Sequence, residues 1–183
     1  MAFTGYHDIV IETTYKQTKE IVAAGTLTID IGAGKSISLT DPDNNFTVVY
    51  ITSADDVTIV DSASLDIGTS VVSGNLSATA ITGNLTDSGI VTVTGTASFT
   101  TSAADATIDL GTLDVTGPIS LSTQGTVGTE AGHATIVNAN GLNLGASSVE
   151  GNLSATATTG NLIDSGVVTV AGATSFTTSA PNA

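Results

Sequence analysis

Few side chains in this sequence are of the types that carry out chemistry. The chain has two histidines, three lysines and seventeen carboxylates, with neither arginine nor cysteine. His7 and His133 occur in neither a His-x-His nor a Glu-x-x-His spacing, so we expect surface or turn residues rather than zinc ligands. The sequence also lacks a Gly-x-Ser-x-Gly elbow and a phosphate-binding loop. We therefore predict no catalytic residue and no organic cofactor.

Two pairs of aspartates are the candidate metal ligands. Asp41 and Asp43 lie in one polar turn, and Asp55 and Asp56 are adjacent. Carboxylate oxygens are the ligands that Ca²⁺ prefers, so each pair is a candidate calcium site. Neither pair belongs to an EF-hand loop, and the competing interpretation is a solvated turn.

A polysaccharide-cleaving enzyme is an alternative function that these carboxylates would allow. A glycosidase needs two carboxylates facing each other across the substrate. A lyase needs a strong base beside clustered carboxylates, but the sequence has no lysine after Lys35. We predict that the chain is not an enzyme, and a screen for polysaccharide cleavage checks the alternative.

The charge is strongly negative and unevenly distributed. The formal net charge is -14, and Lys16, Lys19 and Lys35 are the only basic side chains apart from the histidines. Such a surface repels phosphate backbones, which excludes nucleic acid as an expected partner. No segment is apolar over the length that membrane insertion requires, and Met1 does not begin an export signal.

An internal repeat decides the architecture. Residues 74–106 return as residues 151–183, with 25 of 33 positions identical and every position shifted by 77. The similarity extends upstream and divides the chain into two units, about 25–106 and 107–183. Repeats of this length are typical of solenoids, in which each unit buries its apolar face against its neighbours.

The segments between turns are short and alternate between aliphatic and Thr, Ser or Asp residues, which indicates β-strands. A sandwich of hairpins is one possible architecture, but it would have longer, more aromatic strands. We predict an all-β parallel β-helix with roughly 20 residues per coil, as in solenoid repeats. Residues 1–24 differ in composition, and we expect them to form an N-terminal cap or assembly segment on the solenoid of residues 25–183.

A series of motifs runs in order through the second unit: Leu113-Asp114-Val115-Thr116-Gly117-Pro118-Ile119-Ser120-Leu121, Ala134-Thr135-Ile136-Val137-Asn138, Leu142-Asn143-Leu144-Gly145-Ala146-Ser147, Gly151-Asn152-Leu153-Ser154 and Asp164-Ser165-Gly166-Val167-Val168-Thr169-Val170. Together these motifs resemble the strand repeats of giant bacterial exoproteins of the filamentous-haemagglutinin type. The resemblance implies a right-handed parallel β-helix, export by two-partner or related secretion, and a place at the bacterial cell surface. It also implies adhesion and cell–cell contact.

These observations together predict a structural or adhesive segment that acts as a stalk or contact surface. The expected partners are other cells, surface glycans or neighbouring copies of the chain. The alternative is a self-assembling extracellular fibre subunit that polymerises head to tail, because solenoid ends expose unpaired strand edges.

Overall fold

The computed structural model describes residues 7–10, 15–17, 19–126 and 131–179, and in these residues every regular element is a strand. The described part of the chain therefore has no helix of the length and apolarity that crossing a bilayer demands. The strands are β1 (His7–Val10), β2 (Tyr15–Lys16), β3 (Val22–Asp30), β4 (Ile37–Leu39), β5 (Asn45–Ala54), β6 (Val57–Asp61), β7 (Leu65–Val72), β8 (Leu76–Ala80), β9 (Leu85–Asp87), β10 (Val91–Val93), β11 (Ala97–Ala104), β12 (Ile108–Val115), β13 (Ile119–Gln124), β14 (Ala134–Asn138), β15 (Leu142–Leu144), β16 (Ser147–Val149), β17 (Leu153–Ala157), β18 (Leu162–Asp164), β19 (Val168–Val170) and β20 (Thr174–Thr178).

All described strand pairs are parallel and form two long sheets. One sheet has the order β1-β3-β5-β7-β10-β12-β14-β17-β20, with β9 between β7 and β12. The other has the order β2-β4-β6-β8-β11-β13-β15-β18, and β16 joins β13 to β19. Because each strand pairs with strands one coil before and after it, the chain is a β-solenoid of about seven coils roughly 21 residues apart. The predicted fold class is confirmed.

Three columns of inward-facing residues stack along the solenoid, and each column takes one residue from each coil. Column one is Ile37, Val57, Leu76, Ala97, Ile119 and Leu144. The number of residues between neighbours in this column is smallest from Val57 to Leu76 and largest from Ile119 to Leu144. Column two is Leu65, Leu85, Ile108, Ala134, Leu153 and Thr174. Column three is Ile51, Ser70, Val91, Leu113, Asn138, Ala157 and Thr178.

The core between these columns is aliphatic and is filled by pairing large side chains with small ones. Phe99 is fully buried and stacks on Ala78 in the coil before it and on Leu121 in the coil after it. An alanine beneath the ring leaves room for its volume, so the coils keep their spacing of about 4.8 Å. Phe46 is the other fully buried phenylalanine of the described core.

The repeat unit does not correspond to a whole number of coils. In column one, Leu76 and Leu144 are three coils apart. Leu153, the counterpart of Leu76 in the second unit, lies further along the chain than Leu144 and so is already past column one. Leu153 therefore occupies column two, which is the column of Leu85. Successive units are offset by three coils and one side of the solenoid, so identical residues face different directions.

The first strands continue the same two sheets. β1 pairs with β3, and β2 pairs with β4, in both cases parallel. The boundary that the sequence suggests after residue 24 falls inside β3. Residues 1–6, 11–14 and 18 of the expected N-terminal segment lie outside the described residues. That residues 1–24 act as a cap or assembly segment stays a prediction.

Candidate functional site

A ladder of polar side chains joins consecutive coils at one corner of the first unit. The Asp56 carboxylate Oδ1 accepts hydrogen bonds from the backbone N–H of Asn75 at 2.9 Å and from its amide Nδ2 at 3.0 Å. The Asn75 Oδ1 in turn accepts from the backbone N–H of Thr96 at 2.9 Å and from its hydroxyl at 2.8 Å. The side chain in each coil therefore satisfies a backbone donor of the next coil, which fixes their relative position.

The same corner ladder recurs in the second unit with two substitutions. His133 stands in the place of Asp56, and its Nδ1 accepts the backbone N–H of Asn152 at 2.8 Å. Asn152 Oδ1 accepts the N–H of Ala173 at 2.7 Å, where the first unit has a threonine. An imidazole nitrogen accepts only when it carries no proton, so this bond places the ring proton of neutral His133 on Nε2. His133 is a structural ladder residue here, whereas the side chain of His7 lies outside the described part of the structure.

The candidate calcium ligands lie in this framework as two separate pairs. Asp41 Oδ1 accepts the N–H of Asp43 at 3.1 Å within one turn. Asp55 Oδ1 accepts the hydroxyl of Ser73 at 3.2 Å, next to the corner ladder. Within the described ranges, no group of three or more His, Cys, Asp or Glu side chains comes together as a metal site. Calcium binding at either pair stays a prediction.

Other carboxylates also bind backbone donors of the following coil. Asp87 accepts the N–H groups of Gly111 at 2.9 Å and Thr112 at 2.8 Å. Asp105, whose backbone is left-handed with φ 66°, accepts the N–H of Thr126 at 2.9 Å. Charge-assisted bonds of this kind are stronger than bonds between neutral groups. These acidic side chains connect neighbouring coils through hydrogen bonds.

Among the side chains that the structure describes, one carboxylate is fully buried inside the solenoid. Asp61 is fully buried, its Oδ2 accepts the N–H of Phe46 at 2.6 Å and its Oδ1 accepts that of Ala63 at 2.7 Å. Burial raises the pKa of Asp61 above the ordinary 3.8, and the two backbone hydrogen bonds oppose that rise. Its counterpart in the second unit is Asn138, which is also buried and bonds both N–H and C=O of Val115.

Two buried serines show the same correspondence. The Ser70 hydroxyl donates to the Gly68 carbonyl at 2.9 Å and accepts the N–H of Ile51 at 3.1 Å. Its counterpart Ser147 donates to the carbonyl of Gly145 at 3.0 Å and accepts an N–H from the coil before it. Sequence reasoning missed both serines as well as Asp61 and Asn138. Their equivalence under the internal repeat was the available signal.

The last described coil forms an open groove of about 540 Å³ at the end of the solenoid. Its lining includes the aliphatic and aromatic side chains of Leu162, Val168, Val170 and Phe176, together with Asp164. The groove combines an apolar floor with an exposed carboxylate.

Three segments of the chain match one family, described as repeats of unknown function (DUF5649), over residues 15–53, 54–122 and 131–182. The matches cover most of the chain. The chain belongs to the DUF5649 repeat family. The second and third DUF5649 matches begin at residues 54 and 131, which are equivalent positions of the internal repeat. No curated protein and no solved structure matches the chain.

Proposed function

We propose that this DUF5649 repeat protein is a structural and adhesive segment of a secreted or cell-surface bacterial exoprotein, in which the solenoid acts as a stalk or contact surface. The observation that carries the proposal is the continuous parallel stacking of coils from β1 to β20. With about 4.8 Å between neighbouring strands, seven coils extend on the order of 34 Å along the axis. The resemblance to filamentous-haemagglutinin repeats supports the surface location.

The use of the carboxylates supports a structural rather than a catalytic function. Asp56, Asp61 and Asp87 each accept backbone N–H groups, so their oxygens hold the fold together. The acidic surface also keeps an exposed stalk soluble. The proposed partners are other cells, surface glycans or neighbouring copies of the chain. A polysaccharide-cleavage assay that detects turnover would contradict the structural assignment.

The offset between units determines the direction in which equivalent surface residues of successive units face. Because each unit adds three coils and one side, its surface residues appear on a new side of the stalk in the next unit. Each unit also advances roughly 16 Å along the axis, from the same strand spacing. An array of such units would therefore present one contact patch in several directions.

Labelling on intact cells tests the location. The chain has no native cysteine, so a single cysteine at the exposed Thr94 gives one reactive thiol. T94C should react with a membrane-impermeant maleimide on intact cells in which the variant replaces the native protein, whereas A78C, at a fully buried position, should react only after unfolding. A T94C thiol that is labelled only after lysis would show an internal protein and contradict the proposal.

A head-to-tail fibre subunit is the second candidate, and the open groove at the last coil favours it. Two chains would join if the first coil of one covered the last coil of another. Light scattering across a wide concentration range separates the candidates, because a persistent monomer excludes spontaneous fibres.

A further inference from the structure

The last described coil repeats the residues of an internal coil but is not covered by another one. Leu85 and Phe99 are fully buried in the first unit. Their counterparts Leu162 and Phe176 lie in the last coil, where Phe176 is 53 % exposed. The two phenylalanines stack on equivalent alanines, Ala78 and Ala155, but only Phe99 has a further coil above it among the described residues. The coil above Phe99 shows what such a cover is.

The cover of the first unit is the start of the second unit, the segment of residues 107–121. It places one aliphatic side chain on each inward-facing residue of the coil beneath: Ile108 on Leu85, Leu113 on Val91 and Leu121 on Phe99. This pattern excludes water from the phenylalanine ring. A segment that covers Phe176 in the same way needs the same aliphatic spacing.

Polar contacts add sequence specificity to this cover. Asn84 Oδ1 accepts the N–H of Thr107 at 2.9 Å. Asp87 accepts the N–H groups of Gly111 and Thr112, and its Oδ2 also accepts the Thr112 hydroxyl at 2.9 Å. The carboxylate therefore recognises two consecutive backbone N–H groups within a strand and the hydroxyl of the second residue.

The last coil presents the same acceptors at its open end. Asn161 is the counterpart of Asn84 and Asp164 is the counterpart of Asp87, and both are exposed. Asp164 lines the groove together with Leu162 and Phe176, and Asn161 directly precedes Leu162. Among the described strands, none lies beyond β18, β19 and β20. The coil thus carries both the apolar and the polar half of a complete docking surface.

We infer that this last coil is a docking surface for a further repeat unit whose first coil carries the pattern of residues 107–121. The family match over residues 54–122 includes that segment, so the cover belongs to the family's repeat unit. The match over residues 131–182 corresponds, in the register of the internal repeat, to residues 54–105, so Leu162 and Phe176 occupy the same positions of the family repeat as Leu85 and Phe99. The inference deepens the proposed stalk function by naming how units join, and it rests on that function for its biological purpose alone.

The test extends the full chain directly after Ala183 with a second copy of residues 107–124, because Ala183 is the counterpart of Ala106. The control carries the residues of that extension in scrambled order. Hydrogen exchange measured on both proteins and on the original chain reports whether β18, β19 and β20 become covered. We expect the native-order extension to slow exchange of their amides at least about tenfold, and the scrambled one to leave it unchanged.

Asp164→Ala tests the polar half of the surface. In the original chain it should leave exchange of the last coil unchanged. In the extended chain it should remove about tenfold of the protection, as expected when two backbone N–H donors lose the carboxylate that accepts their hydrogen bonds. Equal protection by both extensions, or no effect of Asp164→Ala in the extended chain, would overturn the inference.

Self-association gives a separate outcome. If the original chain protects the same amides when its concentration is raised, the occupant is a second copy and the inference about a further repeat unit is wrong. Hydrogen exchange on the purified chain does not depend on the labelling of intact cells. A wrong proposal about the cell-surface location can therefore be distinguished from a wrong inference about the docking surface.

Discussion

Phe99 and Phe176 offer the sharpest test of the packing, because they are the same residue at equivalent positions of two units. Phe99→Ala removes a fully buried ring that stacks on Ala78, and alanine beneath it cannot fill the space. A cavity of this kind costs about 3–5 kcal/mol of unfolding free energy. Phe176 is 53 % exposed, so Phe176→Ala loses only part of the transfer free energy and leaves no closed cavity. We expect its cost to be about 1 kcal/mol.

The assay is equilibrium unfolding in urea, followed by far-ultraviolet circular dichroism. Phe99→Leu is the matched control, since a smaller loss of volume should recover much of the cost. Similar m values among the variants would show that the same structure unfolds in each. Equal costs at the two positions, or a larger cost at Phe176, would refute the assignment of one ring to the interior and the other to an open end.

Three further substitutions follow from the polar contacts and the close approach of coils. Because the pKa of Asp61 is raised in the folded state, its contribution to stability is present at low pH and declines as the pH rises above 3.8. The unfolding free energy of Asp61→Asn should therefore fall less steeply with rising pH than that of the parent chain. Ala173→Thr gives Asn152 the hydroxyl partner that the first unit has, and thermal unfolding should show a gain of about 0.5–1 kcal/mol, where a loss would contradict the ladder. Gly117→Ala puts a Cβ against a backbone carbonyl of the preceding coil and should cost about 1–3 kcal/mol in urea unfolding, whereas at Gly111 the nearest atom is 4.0 Å away and the same change should cost far less.

The sequence was sufficient to predict the architecture because the signal is repeated many times. Short alternating strands, small side chains and an internal repeat of constant register all favour stacked parallel coils over a sandwich. Asn75 and Asn152 occupy equivalent positions of the internal repeat, and equal positions in two units imply equal structural roles. In the structure both side chains accept a backbone N–H of the next coil.

The column that each repeat residue occupies could not be predicted from the same data. Coils differ in length, since the step from Ile119 to Leu144 is longer than the step from Val57 to Leu76. The shift between the two units therefore does not tell which column a residue occupies. Leu76 and Leu153 have the same neighbours in sequence but belong to different columns. Only the pairing of strands decides between the columns.

The buried polar residues were hidden for a related reason. In an alternating strand a serine or aspartate is normally assigned to the outer face, and Ser70 and Asp61 lie on the inner one. Each is tolerated there because nearby backbone groups satisfy its oxygens, which is a property of tertiary contacts. Local composition carries no signal of those contacts.

The axial spacing of the coils tests the central claim most directly. Ser38, Thr58, Ser77, Ser98 and Ser120 follow one another on the outside of consecutive coils. Spin labels on S38C and S120C should show a single narrow distance centred near about 19 Å plus the label linkers, which is four strand spacings of about 4.8 Å. A broad distribution, or a centre that four parallel coils cannot produce, would contradict the solenoid and the stalk function built on it.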